Sequence, residues 1–268
     1  MFFKKIIVTA ASVLAFGVPA HAALITTPGP NAETFFEYDP GPIPALSVGT
    51  LVPLTRNAFM ARLSSSVGSY GFEDNSNGDS AIPPDSISVD FNNGVNGTGT
   101  NLITATISGG GTVRGQSSVG RFNTTTVGTR FLEVQSGTSD FAITFNSAIS
   151  AFGFYGTDIG DFEGSLSVFL RNTSGVEEEY LINQGADPRN NGSVLFWGFA
   201  SVNNAYTRIR FATSSPGQAD FFGFDDFVVA DRSQVLAPAP SLPNRTPEPA
   251  SLALVGLALF GAAAARRR

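Results

Sequence analysis

The chain has 268 residues, a formal net charge of −6 at pH 7, no cysteine and one histidine, so disulfides and thiolate chemistry are excluded. His21 and the only lysines, Lys4 and Lys5, lie in the first 22 residues. A domain from Ala23 to Thr246 therefore has no means of building a Ser-His-Asp triad, a Schiff base or the usual zinc site.

The N-terminus sets two lysines before an apolar run, Ile6 to Val18, that ends in Pro19-Ala20-His21-Ala22. A short cationic region, an apolar stretch and small residues at Ala20 and Ala22 form the layout of a secretory signal peptide, with cleavage expected between Ala22 and Ala23. The apolar run is too short to span a bilayer comfortably. The stretch from Ala23 to Thr246 is strongly acidic: it carries 21 acidic residues and 11 arginines, a net charge of −10. That balance does not suit a nucleic acid, whose affinity rests on clustered cations. It suits solubility and can attract divalent cations.

Residues 23–65 read as a Pro/Gly-rich leader followed by a short helix. Pro28, Pro30, Pro40, Pro42 and Pro44 predict an extended, loosely packed strap over Ala23 to Val52. Thr55 to Leu63 is predicted helical, with Phe59 and Leu63 on one face and Thr55 as N-cap. From residue 66 to 232 the pattern becomes short strands. Phe141 to Phe145, Ser165 to Leu170 and Arg208 to Phe211 alternate apolar with polar residues. Further strands are expected at Ser86–Phe91, Asn101–Ser108, Arg130–Val134, Ala148–Tyr155, Glu178–Ile182, Val194–Ala200 and Phe221–Val229. Turn clusters such as Gly109-Gly110-Gly111, Asn146-Ser147 and Asn172-Thr173-Ser174-Gly175 divide them. The fold class predicted is all-β, a jelly-roll-like sandwich.

Residues 233–246 form a stiff Pro-rich spacer. The tail then reads Pro247-Glu248-Pro249, sixteen uncharged residues from Ala250 to Ala265, and Arg266-Arg267-Arg268. Sixteen helical residues span about 24 Å, slightly under the ~30 Å hydrocarbon core, and the arginines would stay cytoplasmic. A C-terminal membrane helix is therefore expected at 250–265. This tail, residues 247–268, resembles the PEP-CTERM sorting signal. The resemblance implies a bacterium of Gram-negative type that makes exopolysaccharide, transient anchoring in the inner membrane, and cutting near Pro247-Glu248-Pro249 by an exosortase. The cut product would reach the cell surface or the surroundings. Beyond exosortase and the secretion machinery, exopolysaccharide is the partner it implies.

Three constellations could carry chemistry. Gly71-Phe72-Glu73-Asp74 opens the strand-rich region and Gly223-Phe224-Asp225-Asp226-Phe227 closes it. The pair resembles galactose-binding-like jelly rolls and related carbohydrate-binding modules, and that resemblance implies a structural calcium on Glu73 and on Asp225 or Asp226. Strict alternation would send Asp225 and Asp226 to opposite faces, leaving one of them for a shared ion. Hard carboxylate oxygens are what calcium takes. The second constellation, Asp158, Asp161 and Glu163, lacks EF-hand spacing and reads as a solvated acidic loop. The third is aromatic: 24 phenylalanines stand against one tryptophan and five tyrosines. Trp197 lies in an apolar strand and is expected in the core, with Tyr155 and Tyr180 as weaker sugar platforms. Asn123 and Asn172 begin glycosylation-like triplets of the kind that arise by chance in Asn/Thr-rich chains. The order of Ala151-Phe152-Gly153-Phe154, Phe196-Trp197-Gly198-Phe199 and Phe221 to Phe227 also resembles the β-domains found beside PEP-CTERM tails.

The function expected is that of a non-enzymatic exported protein, structural and associated with exopolysaccharide or biofilm matrix. A calcium-stabilised carbohydrate-binding module is the alternative. A carboxylate glycoside hydrolase, with Glu73 and Asp226 as its pair, is a second alternative, because paired acids are the acid–base chemistry that remains.

Overall fold

The computed structural model describes residues 32–40, 50–65, 67–74, 80–81, 86–93, 103–115, 120–136, 141–159, 165–182, 192–214 and 220–237. The signal peptide with Ala20, Ala22 and Ala23 lies outside the described residues, as do Asp161, Glu163, the Pro-rich stretch from Pro238, the sorting motif and the predicted membrane helix. Among the described residues no helix is long and apolar enough to cross a membrane.

The strands in chain order are β1 (Glu33–Asp39), β2 (Gly68–Tyr70), β3 (Ser80–Ala81), β4 (Ile87–Asn93), β5 (Ile103–Ser108), β6 (Thr112–Arg114) and β7 (Phe131–Gln135). They continue with β8 (Phe141–Ile149), β9 (Ala151–Thr157), β10 (Ser165–Asn172), β11 (Glu177–Ile182), β12 (Val194–Ala200), β13 (Tyr206–Ser214) and β14 (Phe221–Ala230). One helix, α1 (Leu51–Met60), lies between β1 and β2. All pairings are antiparallel, and they build the two sheets of a β-sandwich. The first sheet runs β1-β12-β9-β14. Beyond β14 it divides: β7 pairs with Phe221–Phe224 and β2 with Phe227–Val229, both on the side away from β9. The second sheet runs β4-β5-β8-β13-β10-β11, and the end of β4 also pairs with β2, joining the sheets at one edge.

Period-2 alternation in the second sheet buries Val168, Leu170, Ile209, Phe211 and Ile143 between the sheets and turns Thr144, Arg171 and Glu179 outward. The first sheet is different. All seven residues of β9 and all seven of β12 are buried. Phe152, Phe154, Trp197 and Phe199 face the second sheet, where Trp197 packs against Phe154 and Tyr180. Tyr155, Phe196, Val194 and Ala200 face the other way, into a second core closed by α1 and β1. A strand covered on both faces loses its alternation and reads as a continuous apolar run.

Helix α1 seats on a dent in the first sheet. Gly153 and Gly198 are cross-strand partners, and Phe35 stands opposite Gly198. The Phe59 ring fills the space above the two glycines: a Cβ on Gly153 would come within 2.9 Å of it and one on Gly198 within 3.2 Å. Phe59 is fully buried, 5.6 Å from the Phe35 ring and 5.5 Å from that of Phe196.

Several local expectations need correction. The helix begins four residues before Thr55, with Thr50 at the N-cap and no side-chain cap bond, and it ends at Met60, so Leu63 is not on its face with Phe59 but bridges to Val235. Pro53 falls in the first turn, where its missing N–H costs nothing, and Thr55 is a buried interior residue. The supposed strap contains β1, which pairs with the edge of β12 and buries Phe35 against Phe59 of α1. Asn146 and Ser147 lie within β8; the break falls at Ser150, and the irregular register between Tyr206 and Arg208 absorbs the polar pair.

Candidate functional site

Where β14 changes partners from β7 to β2, two of its residues have no strand beside them on that side, and those residues are Asp225 and Asp226. Opposite, on β9, Asp225 pairs with Tyr155 and Val228 with Gly153, so Asp226 and Phe227 share the single residue Phe154. That is a β-bulge, and Asp226 sits in it at φ +50°. The extra residue breaks the alternation predicted for the pair. Phe224 and Phe227 both point into the core between the sheets, and Asp225 and Asp226 both turn toward the segment 122–130.

Three acids hold that segment. The Asp225 Oδ2 accepts from the backbone N–H of Thr124 at 2.7 Å, its hydroxyl at 2.9 Å, the N–H of Thr125 at 3.2 Å and the Asn123 amide at 3.2 Å. The Asp226 Oδ1 accepts from the Thr125 hydroxyl at 2.7 Å. Glu73 follows Phe72, whose φ is +64° and whose ring is buried against Tyr70 and Phe227. That anchored turn aims the Glu73 carboxylate at the far end of the segment. Its Oε1 accepts from the N–H groups of Thr129 at 2.9 Å and Arg130 at 2.8 Å and from the Asn123 amide at 3.1 Å. Gly128 is needed here because any side chain would displace the Glu73 carboxylate.

Asn123 is the hinge of the arrangement. Its Nδ2 donates to Glu73 Oε1, Asp225 Oδ2 and, at 2.7 Å, the Arg130 carbonyl. Two carboxylates and one carbonyl thus converge on one nitrogen position, while Asp226 is directed to Thr124 and Thr125 instead. Among the described residues, no three acidic, histidine or cysteine side chains group as a metal site. The oxygen set that converges is hard, which fits calcium in kind, and it supplies fewer than the six to eight oxygens calcium takes. Asp225 is 1% exposed, and its pKa is pushed up to about 7, first by burial and then by the Asp226 charge, against the pull of the Thr124 and Asp226 N–H groups.

The other end of the segment is held by ions. Arg121 reaches Glu133 at 2.8 Å and Asp158 at 3.2 Å, and Arg114 reaches Glu133 at 2.9 Å. Glu133 and Asp158 are 4% and 2% exposed. Asp158 is thus a buried ion-pair member and not part of a solvated loop; it also accepts from the Gly192 N–H, and burial raises its pKa. Arg121, Asn123, Thr124 and Thr125 were not legible as site residues, since they sit in a polar stretch without spacing cues. The Asn123 triplet is consumed by this hydrogen-bond network. As for sugar platforms, Tyr155 is 5% exposed beneath Arg56, and Tyr180 donates its hydroxyl to Glu178.

A family model for the PEP-CTERM protein-sorting motif matches residues 245–268. No curated protein matches the chain. Solved structures similar to it include the K2 cleaved adhesin domain of Lys-gingipain, 14% identical over 60% of this chain and 97% of that one, with a TM-score of 0.32. A family 29 carbohydrate-binding module, CBM29-2, is 13% identical over 60% of this chain and 99% of its own, with a TM-score of 0.27. The C-terminal family 22 carbohydrate-binding module of Clostridium thermocellum Xyn10B is 11% identical over 66% and 99%, with a TM-score of 0.31.

Proposed function

We propose that this exported PEP-CTERM protein acts outside the cell as a non-enzymatic, exopolysaccharide- or biofilm-associated structural β-sandwich. The observation that carries the reading is the sorting motif at residues 245–268, which marks a cell-surface protein processed by an exosortase. The composition of Ala23 to Thr246, without His, Lys or Cys, supports a structural role over a catalytic one. So does the engagement of Glu73 and Asp226, the acids a glycoside hydrolase would need: their oxygens are taken up by the 122–130 segment. Before cutting, the apolar run Ala250 to Ala265 holds the precursor in the inner membrane.

The second reading, a calcium-stabilised carbohydrate-binding module on a jelly-roll-like scaffold, is favoured by the convergence of Glu73, Asp225 and the Arg130 carbonyl on one point. In that reading calcium would supply the charge that lets Asp225 stay ionised while buried, with Glu73 and the Arg130 carbonyl as its other protein oxygens.

The sorting reading is tested in the cell. Deleting Arg266–Arg268, or replacing Glu248 within the Pro-Glu-Pro, is expected to leave an uncut precursor in the inner-membrane fraction. Mature protein outside the cell at the normal level would overturn it.

A further inference from the structure

The two outer faces of the sandwich are unlike. Helix α1 covers that of the first sheet. Among the described residues no helix lies on that of the second sheet, and its outward positions form regular cross-strand rows. One row crosses all six strands: Ser88, Thr106, Thr144, Arg208, Arg171 and Glu177 are successive pairing partners. At the spacing of paired strands it is roughly 24 Å long.

The middle of that row is electrostatically unfavourable. Arg171 and Arg208 stand directly opposite each other, and like charges in that position destabilise a sheet. Among the described residues neither guanidinium has a carboxylate partner. Glu177, opposite Arg171 on its other side, instead reaches Arg210 at 3.3 Å. Arg210 lies in the neighbouring row, 3.9 Å over the ring of its cross-strand partner Phe169, which holds its guanidinium flat against the sheet. In a domain of net charge −10, a pair of facing arginines without an ion-pair partner among the described residues, on an exposed face that also presents Ser88, Thr106 and Thr144, suits an anion from outside.

We infer that the outer face of the second sheet binds an acidic polysaccharide, with Arg171 and Arg208 gripping a carboxylate of the polymer and Thr144, Thr106 and Ser88 hydrogen-bonding hydroxyls further along the row. The inference rests on the exopolysaccharide-associated reading and names its polymer class. Arginine suits the task because its planar fork takes a carboxylate in two parallel hydrogen bonds. A nucleic acid is the poorer occupant, since its affinity needs many clustered phosphate contacts and the described residues of this row offer a single arginine pair.

The test is affinity electrophoresis of the full-length protein in detergent, through gels containing alginate as a polyuronate, neutral dextran, or single-stranded DNA. Alginate is expected to retard the protein, less so at high salt, and the Arg171→Gln/Arg208→Gln double variant is expected to bind at least tenfold more weakly. The same variant should melt no lower than the parent, because it relieves a like-charge pair. Arg208→Lys, which keeps the charge and loses the fork, should fall between the two. Equal retardation of parent and double variant, no retardation by alginate, or equal retardation by DNA would each overturn the inference. Retardation by dextran alone would overturn it too, while leaving sugar binding intact. Export and cutting of the precursor are scored separately, so failure of this site and failure of the sorting reading are distinguishable.

Discussion

Asp225 carries an unusual electrostatic burden. It is buried beside a second aspartate, and its pKa stands near 7 where an ordinary aspartate has 3.8. A carboxyl whose folded pKa is raised binds its proton more tightly in the folded state, so its contribution to stability is complete below pH ~4 and is lost as pH rises toward 7. In chelator, the melting temperature of the parent relative to Asp225→Asn should therefore fall from pH 4 to pH 7 and level off above. A difference that is flat across that range would contradict the assignment. The Asp225-Asp226 pair was legible in the sequence as a candidate, but of the two only Asp225 shares a partner, Asn123, with Glu73. The bulge was not legible: alternation is the default for a strand, and the only hint was an aspartate, a residue that tolerates positive φ, in an otherwise apolar run. The partners Thr124 and Thr125 were illegible because they lie about a hundred residues away, which no local pattern reports.

At the level of elements, α1 acts as the lid of the second core. Phe59 is its largest fully buried residue, and its seat is two glycines wide. Phe59→Ala is expected to cost about 3–5 kcal/mol in urea unfolding, the range for emptying a large buried site. Leu54→Ala, on the open side of the same helix at 47% exposed, should stay within about 0.5 kcal/mol. Equal effects would mean that the helix is not docked by its Phe59 face. That a helix carries Phe59 was readable in the sequence, but both its ends were misread: Thr55 is a better cap residue by type than its place deserves, and Leu63, expected on the Phe59 face, lies beyond Met60 and bridges to Val235. The burying of Thr55 and the pairing of β1 follow from tertiary contacts that override local composition. A continuous apolar run such as that of β9 or β12 is the mark of a strand covered on both faces, but it does not say what covers the second one.

For the molecule as a whole, calcium separates the two functional readings. If the oxygens around Asn123 accept a cation, calcium at a hundred times its dissociation constant should raise the melting temperature by roughly 5–10 °C, following the mass-action gain of about 2.7 kcal/mol. Asp225→Asn should abolish the shift. No shift in the parent would leave a sandwich held by packing alone. The all-β class was legible because turn residues cut the chain into short strands. The sheet order was not, since antiparallel neighbours here are often far apart in sequence.

That ordering has a kinetic side. Strand β14, the last of the described strands to leave the ribosome, is the central member of the first sheet and touches β2, β7 and β9; β1, the first described strand, waits for β12. Neither core can close until nearly the whole domain has been synthesised. Contacts of such long range make for slow folding. For a polypeptide that must thread through a membrane before it is useful, slowness is an asset: the chain stays translocation-competent, and the event that completes the sheet comes only when its final strand reaches the far side.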